Sequence, residues 1–136
     1  QLHRSQRYLP FYLGIQTNAS YPYTGVAGSC KVALGLFKIK GSVNVNKCTD
    51  LENALTGRPI PVAVDGRNFQ TYSKGIFDDC QNTLTLAVLL VGGTDQYYRI
   101  KLSWGDRFGE AGYMRLIRTG KSTCGICDAG TYPLPA

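Results

Sequence analysis

The sequence predicts an α+β fold built on a compact antiparallel β-sheet or barrel with short helices. Three observations predict it. Several short apolar runs alternate with period two, glycine and proline clusters separate them, and one segment carries a helix-start signature.

Taken in order, residues 1–14 read as a short amphipathic helix with Leu2, Leu9 and Leu13 among its apolar positions and Gly14 as its C-cap. Pro10 is awkward there, since proline removes a helical hydrogen bond and clashes with the preceding turn. Tyr21-Pro22-Tyr23-Thr24-Gly25 reads as an irregular turn. Residues 36–45 read as a strand through Phe37, Ile39, Val43 and Val45. Thr49-Asp50-Leu51-Glu52 has the form of a capping box, a hydroxyl for one exposed amide and a carboxylate for another, opening about two turns of helix that end near Gly57. Pro59 and Pro61 lead into the strand Val62-Ala63-Val64. Thr83–Gly93 is strongly β, with Leu84, Leu86, Val88 and Leu90 on one face. Gly92-Gly93 ends it, and Tyr97–Leu102 follows as the second arm of a hairpin. Gly112–Ile117 is a further strand.

The chain has 136 residues, 43% hydrophobic and 18% charged, enough for one domain with a piece of another. No run of 18 apolar residues is present, so no membrane span is expected, and the first residues lack the apolar region of a signal peptide. The net charge of +6 is spread along the chain without a dense basic run or a nucleic-acid-binding motif. A basic surface is the reading, not nucleic-acid binding.

Five cysteines stand at 30, 48, 80, 124 and 127. Cys124-Gly125-Ile126-Cys127 is a CxxC, but zinc needs four ligands, a second CxxC is absent, and the sole histidine is His3. A redox CxxC sits between strand and helix, whereas this one precedes the β-like Thr131-Tyr132-Pro133. Disulfides formed in an oxidising, secretory or lysosomal-type compartment are the better reading, with one cysteine left over. Asn18-Ala19-Ser20 is an N-glycosylation sequon and fits that compartment. No cofactor is expected.

Several segments together resemble the papain family of cysteine peptidases, in its cathepsin-L-like branch. Tyr21-Pro22-Tyr23 followed by Ser29-Cys30-Lys31 is similar to the family's YPY…C segment, and Pro61-Val62-Ala63-Val64-Asp65 to one of its strands. Phe69-Gln70-Thr71-Tyr72-Ser73-Lys74-Gly75-Ile76-Phe77 resembles its FQxYxxGI stretch. Ser103-Trp104-Gly105 with Phe108-Gly109-Glu110-Ala111-Gly112-Tyr113-Met114-Arg115 resembles SWGxxWGExGYxR, and Cys124-Gly125-Ile126 with Thr131-Tyr132-Pro133 resembles CGIxxxxSYP. Order and spacing agree from about residue 5 to the end.

The resemblance implies a two-lobed protein with a cleft between the lobes. Residues 1–42 would be the tail of the helical left lobe, and residues 43–136 the right-lobe β-barrel. The family's oxyanion-hole glutamine and nucleophilic cysteine belong to a front segment that these residues do not match.

A thiol peptidase needs an imidazole to keep its thiolate reactive and a third group to orient that imidazole. In the family the histidine stands in a segment like NHAVLLVGYG; here Thr85-Leu86-Ala87-Val88-Leu89-Leu90-Val91-Gly92-Gly93 places Leu86 there. The orienting asparagine begins NSWG, where Leu102-Ser103-Trp104-Gly105 places Leu102. Leucine has neither a proton to move nor a hydrogen bond to give. The resemblance puts His3 on the far side of the left lobe. Leu86 and Leu102 also carry a packing expectation: two apolar residues where the lobes meet favour a closed or partner-filled cleft.

By the same resemblance Cys80 and Cys124 form the right-lobe disulfide. Cys30 matches a left-lobe cysteine whose partner lies in the front segment, which leaves a thiol or a link to another chain. Cys48 and Cys127 are extra to the common pattern; the fold places them as neighbours, so a Cys48–Cys127 bond is expected. Ala129 aligns with the floor of a substrate pocket, and Trp104 with the tryptophan that shields the catalytic pair. Both are read here as packing residues.

The expected function is that of a catalytically inactive homologue serving as a structural or binding subunit. The apolar residues Tyr8, Leu9, Phe11, Tyr12 and Leu13 of the left-lobe tail would be covered by a protein partner, such as a chain carrying the left lobe. The alternatives are one chain of a processed two-chain endopeptidase and a peptide-binding module that does not cut.

Overall fold

The computed structural model describes residues 14–29 and 35–136. The helix expected over 1–14, His3 and Cys30 lie outside the described residues, Gly14 excepted. Among the described residues there are seven strands and one α-helix: β1 (Ile39–Val45), α1 (Cys48–Leu55), β2 (Ile60–Val64), β3 (Ile76–Phe77), β4 (Leu86–Gly93), β5 (Tyr97–Lys101), β6 (Tyr113–Ile117) and β7 (Gly130–Pro135). Single 3-10 turns stand at Phe69–Thr71 and Thr123–Gly125. The predominance of short strands with one helix is the α+β class that the apolar alternation predicts.

The chain divides into two compact units, one running to Val43 and including Pro133–Ala136, the other Asn44–Tyr132. In the first, Ile15 and Phe37 form an antiparallel bridge, and the Ala136 N–H donates to the Lys38 carbonyl at 3.3 Å. Tyr21–Gly25 is irregular, with Gly25 at φ 73°, as its composition predicts.

Within the second unit the sheet runs from the first residues of β7 through β2, β4, β5 and β6 to β3. β2 and β4 pair antiparallel from Ile60 opposite Leu90 to Val64 opposite Leu86. β4 and β5 form the expected hairpin, with a bulge between Leu90 and Gly92. β5 and β6 are antiparallel, whereas β3 and β6 are parallel. Period-two alternation explains the burial: Ile60, Val62 and Val64, then Val88 and Leu90, then Tyr98 and Ile100, then Met114 and Leu116 all turn inward. Leu51 of α1, Phe69, Ile126 and Leu102 close this core. Among the described residues no buried side-chain polar atom lacks a partner.

One local expectation is corrected. The capping box at Thr49 does not form: α1 begins at Cys48, Lys47 is its N-cap, and no side chain caps it. Glu52 is engaged elsewhere, accepting from the Tyr98 hydroxyl at 2.6 Å and from Arg118 Nε at 2.9 Å.

Candidate functional site

Leu86 and Leu102, expected from the sequence at the family's histidine and asparagine positions, stand at the start of β4 and just beyond the end of its neighbour β5. Leu86 opens β4 opposite Val64 on β2. The chain beyond Val64 turns at Asp65 and Gly66, and the Gly66 N–H donates to Thr85 Oγ1 at 3.0 Å. A Cβ on Gly66 would lie 2.7 Å from Leu86 Cδ2, so only glycine leaves room for this side chain. Leu86 is half-buried and packs against the core cluster. Leu102 follows β5 and is 6% exposed, a member of that cluster, with its N–H donating to the Gly112 carbonyl at 3.1 Å. It is therefore covered within its own unit and needs no second lobe to bury it.

Beyond Leu102, Ser103 is exposed and Trp104 is 39% exposed, which corrects the expectation that this tryptophan is core. Its ring meets Phe108 edge-on at 4.9 Å, and Phe108 leads inward through Tyr72 and Phe77 to the buried Phe69. Ala129 is exposed as well, so it is not a packing residue here; its carbonyl accepts from the Ala63 N–H at 2.9 Å.

Around these positions the structure holds charge by pairing. Asp65 is 2% exposed and receives Arg67 through two nitrogens, at 2.8 and 2.6 Å, together with the backbone N–H groups of Gln81 and Thr83. The Arg67 guanidinium beside it holds the Asp65 carboxyl well below the usual carboxylate range. Glu110 is clamped by Arg115 and accepts from the Gly75 N–H at 3.1 Å; the arginine lowers its pKa. The Tyr98 hydroxyl and Arg118 lower that of Glu52, while burial, with the Glu52 carboxylate next to it, pushes the Tyr98 phenol up. The sequence reading missed these three pairs. A carboxylate just after a buried alternating strand and two residues before an arginine, as in Asp65 and Arg67, is the signal that was there to find the first.

Cys48 is bonded to Cys127 and Cys80 to Cys124, with Cα separations of 4.9 and 5.3 Å. Cys124 sits at φ 53° and is held on both sides, by its disulfide and by the Asp65 N–H donating to its carbonyl at 2.8 Å. Two disulfides are consistent with an oxidising compartment. The Asn18 side chain is exposed and its Oδ1 accepts from the Tyr23 N–H at 3.3 Å. Among the described residues no group of three His, Cys, Asp or Glu side chains could hold a metal ion, and no helix is long and apolar enough to cross a membrane.

The family described as papain family cysteine protease matches residues 3–134. The chain belongs to that family. Its cathepsin-L-like character rests on relatives such as cathepsin L 2 of Paramecium tetraurelia, 36% identical over 124 residues, and the cathepsin L-like proteinase of Fasciola hepatica, 39% identical over 137. These alignments take in 89% and 90% of this chain but 39% and 42% of those proteins, so the chain spans about two fifths of the curated relatives it matches. Among solved papain-family structures, the bromelain protease of Ananas comosus in complex with the E64 inhibitor is similar at 36% identity and a TM-score of 0.82, over 90% of this chain and 63% of that one. The digestive procathepsin L2 proteinase of Tenebrio molitor larval midgut has a TM-score of 0.84 at 29% identity, over 96% of this chain and 45% of that one. The strands and helix of 44–132 are consistent with the papain right lobe.

Proposed function

We propose that this chain belongs to a papain-family protein that does not cleave peptides and that serves as a structural or binding subunit of a larger assembly in an oxidising, secretory or lysosomal-type compartment. The observation that carries the reading is the pair Leu86 and Leu102. General acid–base help is worth on the order of 10² to 10⁴ in rate, and neither leucine can supply it or orient a group that does. The one histidine of the sequence, His3, lies far from both in chain position. The burial of Leu102 and the fit of Leu86 against Gly66 support the reading, because both side chains serve packing. Working as one chain of a two-chain endopeptidase would require a partner to bring a nucleophile and a base of its own.

A second reading, a module that holds peptides without cutting them, draws on Trp104, which keeps aromatic surface in solvent beside Leu102, and on the exposed Ala129. Incubating the protein with a mixture of unfolded peptides, followed by gel filtration and mass spectrometry, separates the readings. Intact peptides that co-elute favour the module, and peptides neither retained nor shortened favour the structural subunit. Shortened peptides whose formation stops with E64 would overturn both.

A further inference from the structure

Strand β5 turns Tyr98 and Ile100 into the core and presents Tyr97, Arg99 and Lys101 on the other face. Across the ladder, β6 sets Ile117 opposite Tyr97, Arg115 opposite Arg99 and Tyr113 opposite Lys101. Like charges directly opposite one another destabilise a strand pair unless something offsets them. Arg115 has its own counter-ion in Glu110, 2.6 Å away. Arg99 and Lys101 have none among the described residues, and the Arg99 guanidinium donates no hydrogen bond there. Instead it lies over the Tyr113 ring, 4.4 Å from its centroid, while Arg115 lies 5.4 Å from that of Tyr97.

The residue that pairs with Arg99 on β4 is Gly92, just past the bulge. A Cβ there would meet nothing within 4 Å. Gly92 opens on a hollow of about 370 Å³ lined also by Val91, Gly93, Tyr97, Arg99 and Tyr113. A guanidinium without an ion-pair partner among the described residues thus lies over a ring at an open hollow, and an ammonium likewise without one, 5.9 Å from that ring's centroid, stands two residues along the same face.

We propose that this face binds an acidic peptide segment in extended conformation, with one Asp or Glu carboxylate in the Gly92 hollow on Arg99 and a second, two residues on, at Lys101. The spacing matches because same-side side chains of an extended chain repeat every two residues, about 6.5–7 Å, which is also the repeat from Arg99 to Lys101 along β5. A guanidinium takes a carboxylate through two parallel N–H bonds, and stacking on Tyr113 orders it before the ligand arrives. Tyr97 and Tyr113 already carry cations on their rings, which leaves less aromatic surface for stacking sugars or bases.

The test is fluorescence anisotropy with the full chain and a labelled eight-residue peptide of alternating Glu and Thr, against the same peptide with Lys for Glu and against a labelled heparin octasaccharide. The acidic peptide is expected to bind saturably and more weakly as salt rises, with no binding of the Lys peptide. Arg99→Gln, and Gly92→Glu, which puts a carboxylate into the hollow, are each expected to weaken binding about tenfold, and Arg99→Lys to weaken it less. Arg99 is exposed and the Gly92 site is open, so both variants keep their fold; Lys101→Gln is a third probe should thermal unfolding show otherwise. Absence of peptide binding, variants that bind like the parent, or Arg99-dependent binding of the octasaccharide in place of the peptide would overturn the proposal. None of these results bears on Leu86 or Leu102.

Discussion

Asp65 is the buried charge of the described residues, and its surroundings are built to keep it ionised. Because its folded pKa lies below the unfolded value, the stability it contributes is fully present above the ordinary carboxylate pKa of about 4 and is lost as pH falls through the folded value. Glu52 and Glu110 are lowered too and act in the same direction. The thermal midpoint should be flat between about pH 5 and 7 and fall on acidification below about pH 4. Asp65→Asn should lower the neutral midpoint and flatten that fall; an unchanged acid slope in the variant would remove Asp65 from the account. The two leucines differ in burial, so they should differ in cost. Leu102→Asn places an amide in the apolar cluster and should destabilise by about 2–3 kcal/mol. Leu86→His, at a half-buried position, should cost less, as denaturant unfolding can check. The two leucines stand out in sequence because segments resembling the family's motifs flank each of them. The local spacing of Asp65 and Arg67 hints at their pair, but the burial of Asp65 and its backbone partners Gln81 and Thr83, 16 and 18 residues away, are announced by nothing local.

At the scale of elements, β4 and β5 were legible because both are short β-favouring runs and Gly92-Gly93 breaks the chain between them. The bulge at Leu90 and Gly92 was not legible, and it is the bulge that sets Gly92 against Arg99. Helix α1 shows how tertiary contacts override a local signature. Its first residue, Cys48, is tied to Cys127, and Glu52, which would close a capping box, is held by Tyr98 and Arg118. Thr49→Ala should therefore shift stability by less than about 0.5 kcal/mol, where a functioning N-cap would cost about 1. The disulfide should matter far more. It joins residues 79 apart, and replacing Cys48 and Cys127 together by serine should remove about 2–4 kcal/mol in denaturant unfolding.

For the whole molecule, ordered family motifs made the right-lobe fold legible from sequence, while its hairpin and short helix were legible from local patterns. They did not reveal which side chains stay wet. Trp104 and Ala129 were read as packing, yet both are exposed: they stand in the loop after β5 and just before β7, and burial beside a strand end depends on how the adjoining loop closes. The parallel β3–β6 pair escaped notice for a related reason: two residues are too few to carry a period. The proposed inactivity rests on reading Leu86 and Leu102 at the positions where the family's chemistry needs an imidazole and an amide. Its most direct test is turnover of a cathepsin-type fluorogenic peptide by the purified protein under reducing conditions, titrated with E64. The account predicts no E64-sensitive turnover at any pH between about 4 and 8, the range in which thiol and imidazole pairs titrate. Turnover abolished by a stoichiometric amount of E64 would contradict it.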